Sequence, residues 1–456
     1  MRVNPQRVSV IGSAAARKGR YVLYWMQQSQ RAEANDALEY AVGQANKGEL
    51  PLLVGFGLMD DYPEANLRHY RFMLEGLAGT SAALARRGIR MAVVRGNPAE
   101  VAVRLGQEAA MVVCDRGYMA HQRRWRDQVA DGAGCAVVQV EADMVVPVEA
   151  TSDHAEFAAR TIRPKIARQL DQFLAGSTAQ KLKRDSMSIK VALEMSVGDI
   201  DAALDKLKLD RSVAPSGRFI GGTENARRHL RRFIDEKLKL YAEDRSEPAA
   251  GINSYMSPYL QFGQISAVEI ALAVRESGAP QAAKDSYLEE LIVRRELACN
   301  FTQYTPNYWT YDALPGWARR SLEKHAGDRR GQVYSRAQLE NAETGDPYWN
   351  ASMREMSSTG YMHNYMRMYW GKCVLGWKAH PREAFADLIY LNNKYFIDGR
   401  GPNGFAGVAW CFGLHDRPWG EREIFGQVRY MNAAGLKRKF DMDAYIRAVG
   451  EMSGQM

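Results

Sequence analysis

The chain has 456 residues, of which 46% are hydrophobic, and a formal net charge of +8. The length allows two or three structural units with sizeable cores, and the positive charge favours a polyanionic partner, most commonly nucleic acid. Five scattered cysteines without a C-x-x-C spacing argue against a disulfide framework and against a zinc site. Without a signal-peptide pattern or an apolar run approaching 18 residues, we expect a cytoplasmic protein that does not span a membrane.

Residues 1–150 alternate short apolar runs with amphipathic stretches. The apolar runs predict buried strands at 21–26, 52–58, 90–94, 111–114 and 136–140. Helical periodicity lies between them, for example at 32–44 and 66–87. This alternation predicts a Rossmann-like α/β domain, with a parallel sheet covered by helices on both faces.

The pattern changes after residue 150. Residues 151–220 read as a helical connection that contains a Lys/Asp-rich, solvated linker at 181–211. Residues 221–456 show almost no strand alternation and predict an all-α C-terminal domain.

An aromatic segment at 359–377 reads T-G-Y-M-H-N-Y-M-R-M-Y-W-G-K-C-V-L-G-W. Trp370 and Trp377 are seven residues apart, which places both indoles on one face of a helix. A third indole, Trp349, precedes them in D-P-Y-W-N. Such indoles either pack in a core or pass an electron, and the spacing allows both.

Three glycines satisfy the dinucleotide-binding pattern G-x-G-x-x-G at Gly399, Gly401 and Gly404. That pattern requires a strand before it and a helix after it. Here Pro402 interrupts the pattern and the preceding residues lie in a helical region, so we reject a Rossmann-type site at this position.

Seven sequence blocks resemble class II cyclobutane pyrimidine dimer photolyases of the photolyase and cryptochrome family. They run in order along nearly the whole chain: Y-W-M-Q-Q-S-Q-R at 24–31, C-D-R-G-Y at 114–118, F-A-A-R-T-I-R-P-K at 157–165, S-Y-M-S-P-Y-L-Q-F-G-Q-I-S at 254–266, E-E-L-I-V-R-R-E-L-A at 289–298, M-H-N-Y-M-R-M at 362–368 and L-N-N-K-Y-F-I-D-G-R-G-P-N-G at 391–404. The resemblance implies an antenna-type domain at 1–150 and an FAD-binding catalytic domain at 221–456.

The resemblance also implies residues that hold FAD in its reduced form. Arg367 and Asp398 match the family's pair beside the flavin N5 edge, although an ordinary ion pair is the alternative. Asn392 matches the class II asparagine that faces N5, and the 399–404 glycines would let the backbone approach the flavin. The remaining matches are Tyr241, Asn253, Ser254, Tyr255, Met256, Ser257, Asn364 and Asn403.

A lesion pocket is implied beside the flavin, because a pyrimidine dimer must be flipped out of the duplex before it can be reached. Trp410 matches the family's stacking tryptophan, Met368 lines the floor, and Glu296 matches the glutamate that binds the dimer carbonyls. An intrahelical pairing with Arg294 or Arg295 is the alternative role of Glu296. Basic residues suited to phosphates are Arg417 and Arg422, which flank Trp419, and the cluster Arg227, Arg228, Arg231 and Arg232.

These matches predict a light-driven DNA lyase that acts as a monomer on UV-damaged DNA. Trp349, Trp370 and Trp377 match the class II triad that reduces the flavin, with Trp370 nearest to it and Trp377 outermost. Asn364, in place of a second histidine after His363, favours the cyclobutane dimer over the (6-4) photoproduct. Two alternatives are a cryptochrome-like photosensor without repair activity and a flavoprotein oxidoreductase that works in darkness. A second, light-harvesting chromophore such as a deazaflavin is left open.

Overall fold

The computed structural model describes the backbone of residues 3–454 and the side chains of residues 3–452. Six strands form one sheet: β1 (Val8–Ile11), β2 (Tyr21–Trp25), β3 (Leu52–Leu58), β4 (Arg90–Arg95), β5 (Ala109–Asp115) and β6 (Ala136–Val140). Their order across the sheet is β1-β6-β5-β2-β3-β4. All neighbours pair in parallel except β1, which lies antiparallel to β6 with Val8 opposite Val140.

Both faces of the sheet are covered, as predicted. Helices α1 (Asp36–Lys47) and α2 (Leu67–Arg86) pack with Val22 and Tyr24 of β2 on one face. Helices α3 (Pro98–Gly106) and α4 (Ala120–Gly132) lie on the other, where Leu23 and Trp25 point. Successive strand residues face opposite sides, so a strand buried on both faces is apolar throughout.

Helices account for the regular structure of the rest of the chain that the structure describes. Their bounds are α5 (Val148–Thr151), α6 (Ala159–Ala167), α7 (Leu170–Phe173), α8 (Ile200–Asp205), α9 (Thr223–Arg232), α10 (Tyr241–Asp244), α11 (Ser257–Gln261), α12 (Ala267–Glu276), α13 (Gln281–Leu288), α14 (Arg295–Tyr304), α15 (Gly316–Lys324), α16 (Arg336–Glu340), α17 (Pro347–Thr359), α18 (Asn364–Trp377), α19 (Pro381–Tyr395), α20 (Pro402–Cys411), α21 (Ala433–Lys439) and α22 (Met442–Gly454). Two π-helical turns, Phe233–Lys237 and Glu289–Arg294, follow α9 and precede α14. The predicted fold class is confirmed.

The connection at 181–211 differs from the expected solvated linker. Met195, Val197, Leu204 and Leu207 are buried in the core on the α1–α2 side of the sheet. Burying these side chains removes apolar surface from water, which outweighs the Lys/Asp-rich composition of the segment. The expectation of a solvated linker is therefore wrong for these residues.

One buried arginine of α2 ties the sheet domain to the helical domain. The Arg68 guanidinium donates hydrogen bonds to the carbonyls of Ala214, Met356 and Tyr395, at 2.9, 3.2 and 2.9 Å. These acceptors lie in the connection, in α17 and at the end of α19. Because a buried cation is costly without such partners, they hold the two domains in one arrangement.

Candidate active site

A cavity of about 210 Å³ lies between the helical domain and the sheet domain. Six of the predicted FAD-binding residues line it: Tyr241, Ser254, Met256, Ser257, Asp398 and Asn403. The sheet domain contributes Gln28, Tyr118, Gln122 and Asp143. The structure therefore brings together residues from Gln28 to Asn403, which are far apart in the sequence.

The two sides of the loop before α11 line two different cavities. Ser254 and Met256 line the cavity, and the Ser254 hydroxyl accepts a hydrogen bond from the Tyr287 hydroxyl at 3.1 Å. Asn253 and Tyr255 instead line a separate groove on the opposite side of the loop. Tyr255 has a φ of +57°, an uncommon value for a residue other than glycine. The predicted contact of these two side chains with FAD is thus not supported by their direction.

Arg367 and Asp398 form the predicted ion pair. Two guanidinium nitrogens donate to the two carboxylate oxygens at 3.1 Å each, and Nε donates to the Met362 carbonyl at 3.0 Å. The guanidinium also lies 3.9 Å from the ring centre of Phe396. A bidentate pair held on both sides keeps a fixed geometry, and its carboxylate is on the cavity wall.

Asn392 is buried on α19, and its amide nitrogen donates to the Asn393 side-chain oxygen at 2.9 Å. The glycines that follow pack against protein atoms. A Cβ at Gly399 would lie 2.5 Å from the Asn392 carbonyl, and one at Gly404 would lie 2.8 Å from the Asn392 amide. These glycines are therefore explained by packing against α19 rather than by the expected approach to a flavin. The segment follows a helix, which confirms that it is not a dinucleotide-binding turn.

Glu296 does not line the cavity. It is 2% exposed, and its Oε1 accepts a hydrogen bond from the Val146 backbone N–H at 3.0 Å. Burial raises the pKa of this carboxyl to about 8. The predicted contact of Glu296 with a dimer is wrong, because its carboxyl faces the connection to the sheet domain.

Glu290 is the glutamate of this segment on the cavity wall. Its carboxylate pairs with Arg245 at 2.7 Å, and its side chain is 30% exposed. The sequence block E-E-L-I-V-R-R-E contains both glutamates, but the π-helical turn Glu289–Arg294 shifts the helical phase between them. Sequence spacing alone could not show which of the two faces the cavity.

Three tryptophans form a connected series. Trp349, fully buried on α17, donates its indole N–H to the Trp370 carbonyl at 3.0 Å. Its ring centre lies 5.5 Å from that of Trp377. Trp370 lies 6.2 Å from the Phe396 ring, which carries the Arg367 guanidinium on its face. Trp349 therefore connects Trp370 with Trp377, although Trp370 and Trp377 share a helix.

Trp410 and Trp419 lie in a basic, aromatic region formed by α20 and the loop after it. The Arg429 guanidinium is 5.9 Å from the Trp410 ring centre and 5.2 Å from that of Trp419. Arg417 lies 5.3 Å from Trp419, which is 41% exposed. The sequence interpretation did not single out Arg429. The clue to it in the sequence was that Arg429 lies seven residues after Arg422 in the same loop.

The other predicted residues lie near this region or away from it. Met368 is half-buried on α18, and its carbonyl faces the Cys411 thiol at 3.9 Å. Arg422 stacks on Tyr430, 5.4 Å from its ring centre. Asn364 is exposed at the first position of α18 and is not part of the cavity wall, so the structure does not support its predicted flavin contact.

Lys372 is a further residue that the sequence interpretation did not identify. It is 1% exposed on α18, donates to the Cys411 carbonyl at 2.5 Å and lies 5.8 Å from the Trp410 ring centre. Burial lowers the pKa of its ammonium to about 8. The side chain fixes the end of α20, and with it the position of Trp410.

Comparisons with known proteins point to one family. A family model described as DNA photolyase matches residues 22–184. The deoxyribodipyrimidine photo-lyase of Methanothermobacter thermautotrophicus is 48% identical over 94% of this chain and 94% of its own length. That of Arabidopsis thaliana is 40% identical over 94% of this chain and 88% of its own.

Two solved structures share the fold. A bacterial class III photolyase from Agrobacterium tumefaciens has a TM-score of 0.73 at 19% identity, covering 96% of this chain and 87% of its own. An archaeal photolyase from Sulfolobus tokodaii, described with two FAD molecules and a novel light-harvesting cofactor, has a TM-score of 0.69 at 16% identity, covering 95% and 93%. At these identities the likeness concerns the fold alone.

Proposed function

The chain belongs to the DNA photolyase family, and from this we propose that it is a light-driven repair enzyme that splits cyclobutane pyrimidine dimers in DNA. The observation that carries the proposal is the indole series Trp377–Trp349–Trp370, which ends beside Phe396, Arg367 and Asp398 at the cavity. Such a series links the domain surface to a redox cofactor in the cavity.

The cavity walls suit FAD, which supplies the photoexcited electron when it is bound. Tyr241, Ser254 and Ser257 offer hydroxyl groups for its phosphates, and backbone N–H groups of the loop before α11 add donors. The Arg367–Asp398 pair presents its carboxylate to the cavity, where it would accept a hydrogen bond from the edge of the flavin ring. Asn403 lines the same cavity, and Asn392, which is buried on α19 and not part of the cavity wall, stays a proposed partner of the ring.

The lesion would lie between this cavity and the basic, aromatic region. Trp410 offers a stacking face for a flipped base, and Met368 lies beside it on α18. Glu290 replaces Glu296 as the proposed partner of the dimer carbonyls, to which its carboxyl can donate a hydrogen bond only in the protonated form. Arg417, Arg422 and Trp419 would hold the DNA backbone and position the duplex without reading its sequence.

We assign the chain to class II within the family. The support is Asn392, the three indoles Trp349, Trp370 and Trp377 in their observed order, and the sequence blocks that resemble class II. We also propose that the enzyme acts as a monomer in the cytoplasm. In residues 3–454, no helix has both the length and the apolar character needed to cross a membrane.

A second chromophore has a candidate site between the sheet domain and the helical domain. A cavity of about 100 Å³ is walled by aromatic side chains, including Phe56, Tyr62, Tyr70 and Trp125, and by buried Arg400. Flat aromatic walls with one cation suit a planar anionic ring such as a deazaflavin. An absorption band beyond that of FAD in the purified protein, lost on Trp125→Ala, would support an antenna at this site.

The function is tested by spectroscopy and repair together. The purified protein should show a flavin spectrum, and blue light should restore dimer-containing DNA only when the flavin is reduced. Repair in darkness would indicate an oxidoreductase. A flavin spectrum without any repair would instead indicate a cryptochrome-like photosensor.

A further inference from the structure

A basic groove of about 430 Å³ lies on the outer side of the loop before α11. Its charged walls are Arg218, Arg232 and Lys237, and His229 lies among them. The same loop faces the central cavity with Ser254 and Met256, so the two sites share one wall but open on opposite sides.

The positive charge of this basic groove is poorly neutralised. Arg232 pairs with Glu236 at 3.0 Å, but within residues 3–452 neither Arg218 nor Lys237 forms an ion pair shorter than 4.0 Å. The charge of buried Glu355 acts on Arg218, and that of Glu236 acts on Lys237, from farther away. Burial and the neighbouring arginines lower the pKa of Lys237, and burial with the surrounding cations lowers that of His229. Like charges held together without counter-charges are costly unless an anion joins them.

The groove is shaped as well as charged. The Tyr255 ring lies between two cations, with the Arg218 guanidinium 4.2 Å and the Lys237 ammonium 5.4 Å from its centre. Lys237 also donates to the Gly251 carbonyl at 2.6 Å, which fixes its position. The left-handed backbone of Tyr255 directs this ring outward, away from the central cavity.

The neighbouring arginine cluster at 227–232 does not share the poorly neutralised charge of the groove. Arg227, which the sequence suggested for phosphate binding, is neutralised by Glu269 and Glu33, each at 2.6 Å. Of the four arginines at 227–232, Arg232 is the one that reaches the groove wall. Arg232 of the cluster therefore belongs to the groove, whereas Arg227 belongs to the contact with the sheet domain.

We propose that the basic groove is a second phosphate-binding site, which takes phosphate esters from either a DNA backbone or a free nucleotide. Guanidinium and ammonium groups are the side chains that bind phosphate oxygens most strongly. The site does not depend on repair chemistry, and its binding can be measured in darkness.

The test uses the FAD-loaded protein, in which the central cavity is filled, and inorganic pyrophosphate as the probe in titration calorimetry. The double variant Arg232→Gln/Lys237→Gln should weaken pyrophosphate binding at least tenfold, and the single variant Arg218→Gln should also weaken it. The matched control Lys206→Gln/Lys208→Gln removes the same charge from exposed positions in the connection and should leave binding unchanged. All variants should keep their FAD.

Competition then identifies the source of the phosphate. Displacement of pyrophosphate by undamaged duplex DNA assigns the groove to the DNA backbone, whereas displacement by ADP alone assigns it to a free nucleotide. Three results would overturn the proposal: no pyrophosphate binding by the parent protein, equal weakening in the control, or loss of FAD from the groove variants. The last result would mean that the groove holds the phosphates of the flavin itself.

Discussion

At the residue scale, the two glutamates of one helical segment have different tasks. Glu290 lies on the wall of the central cavity, paired with Arg245, whereas Glu296 is buried against the Val146 N–H. Of the two, Glu290 is the one that lines the cavity, and it is the one we propose for contact with a lesion. The chemistry of a dimer-binding carboxyl was predictable from the sequence block, but its position was not, because a π-helical turn alters the helical phase within that block.

Glu290→Ala, which removes the carboxyl, should lower the number of dimers repaired per absorbed photon several-fold and affect lesion binding less. A hydrogen bond to the negative charge that the dimer acquires after electron injection stabilises that charged state more than the bound, uncharged dimer. Quantum yields measured with prereduced enzyme check this expectation. Glu296→Gln is the control and should keep the parental yield; a loss confined to Glu296→Gln would restore the original assignment.

Glu296 should make stability depend on pH. Because burial raises its pKa from 4.5 to about 8, the folded state holds a proton that the unfolded chain releases above pH 4.5. This contribution is full below pH 4.5, falls as the pH rises towards 8 and is lost above it. We expect a loss of a few kcal/mol, on the order of 1.4 kcal/mol per pH unit, across that window.

Urea unfolding at pH 6 and pH 8.5 measures this effect. Glu296→Gln cannot ionise, so its free energy of unfolding should fall less between the two pH values than that of the parent. Parallel pH dependences in the two proteins would show that Glu296 is charged in the folded state.

At the element scale, the indole series depends on how α17 packs against α18. The sequence placed Trp370 and Trp377 on one helix face, but the ring that contacts Trp377 belongs to Trp349 on α17. Helical periodicity describes neighbours within one helix and cannot describe contacts between two. The strand positions from β2 to β6 were predictable, because strands buried on both faces are apolar throughout.

Strand β1 and the connection at 181–211 were not predictable. Val8–Ile11 is a four-residue edge strand with half-exposed and exposed side chains, so it carries little apolar signal. The connection carries its apolar side chains singly among charged residues, and only the folded core shows that they are buried. Both features depend on tertiary contacts rather than on local pattern.

Trp349→Phe should slow photoreduction of oxidised FAD at least tenfold, because it removes the indole between Trp370 and Trp377. Repair by chemically prereduced enzyme should persist, since that reaction does not use the series. Transient absorption of the flavin measures the first effect. Trp309→Phe, at a tryptophan that is 43% exposed and outside the series, is the control; equal rates in both variants would remove Trp349 from the electron path.

At the scale of the whole molecule, a sheet domain and a helical domain enclose the central cavity between them, and the basic, aromatic region lies beside α20. The net charge of +8 suggested nucleic acid as a partner but could not locate the contact. The structure places exposed Trp419 among Arg417 and Arg429, a combination typical of surfaces that bind a DNA backbone.

Arg417→Gln/Arg422→Gln should weaken binding to undamaged and damaged DNA alike and reduce its salt dependence. Each phosphate contact releases about one counterion, so the slope of log K against log salt should fall by about 2. Fluorescence anisotropy across a salt series measures this slope. An unchanged slope would place the DNA on another face of the molecule.

The central claim is that light drives dimer repair in this protein. The most direct measurement counts dimers restored per absorbed blue photon by the purified protein with fully reduced FAD, beside an identical sample kept in darkness. We expect a substantial yield in the light and none in the dark. Absence of repair in the light, with flavin bound and reduced, would contradict the account.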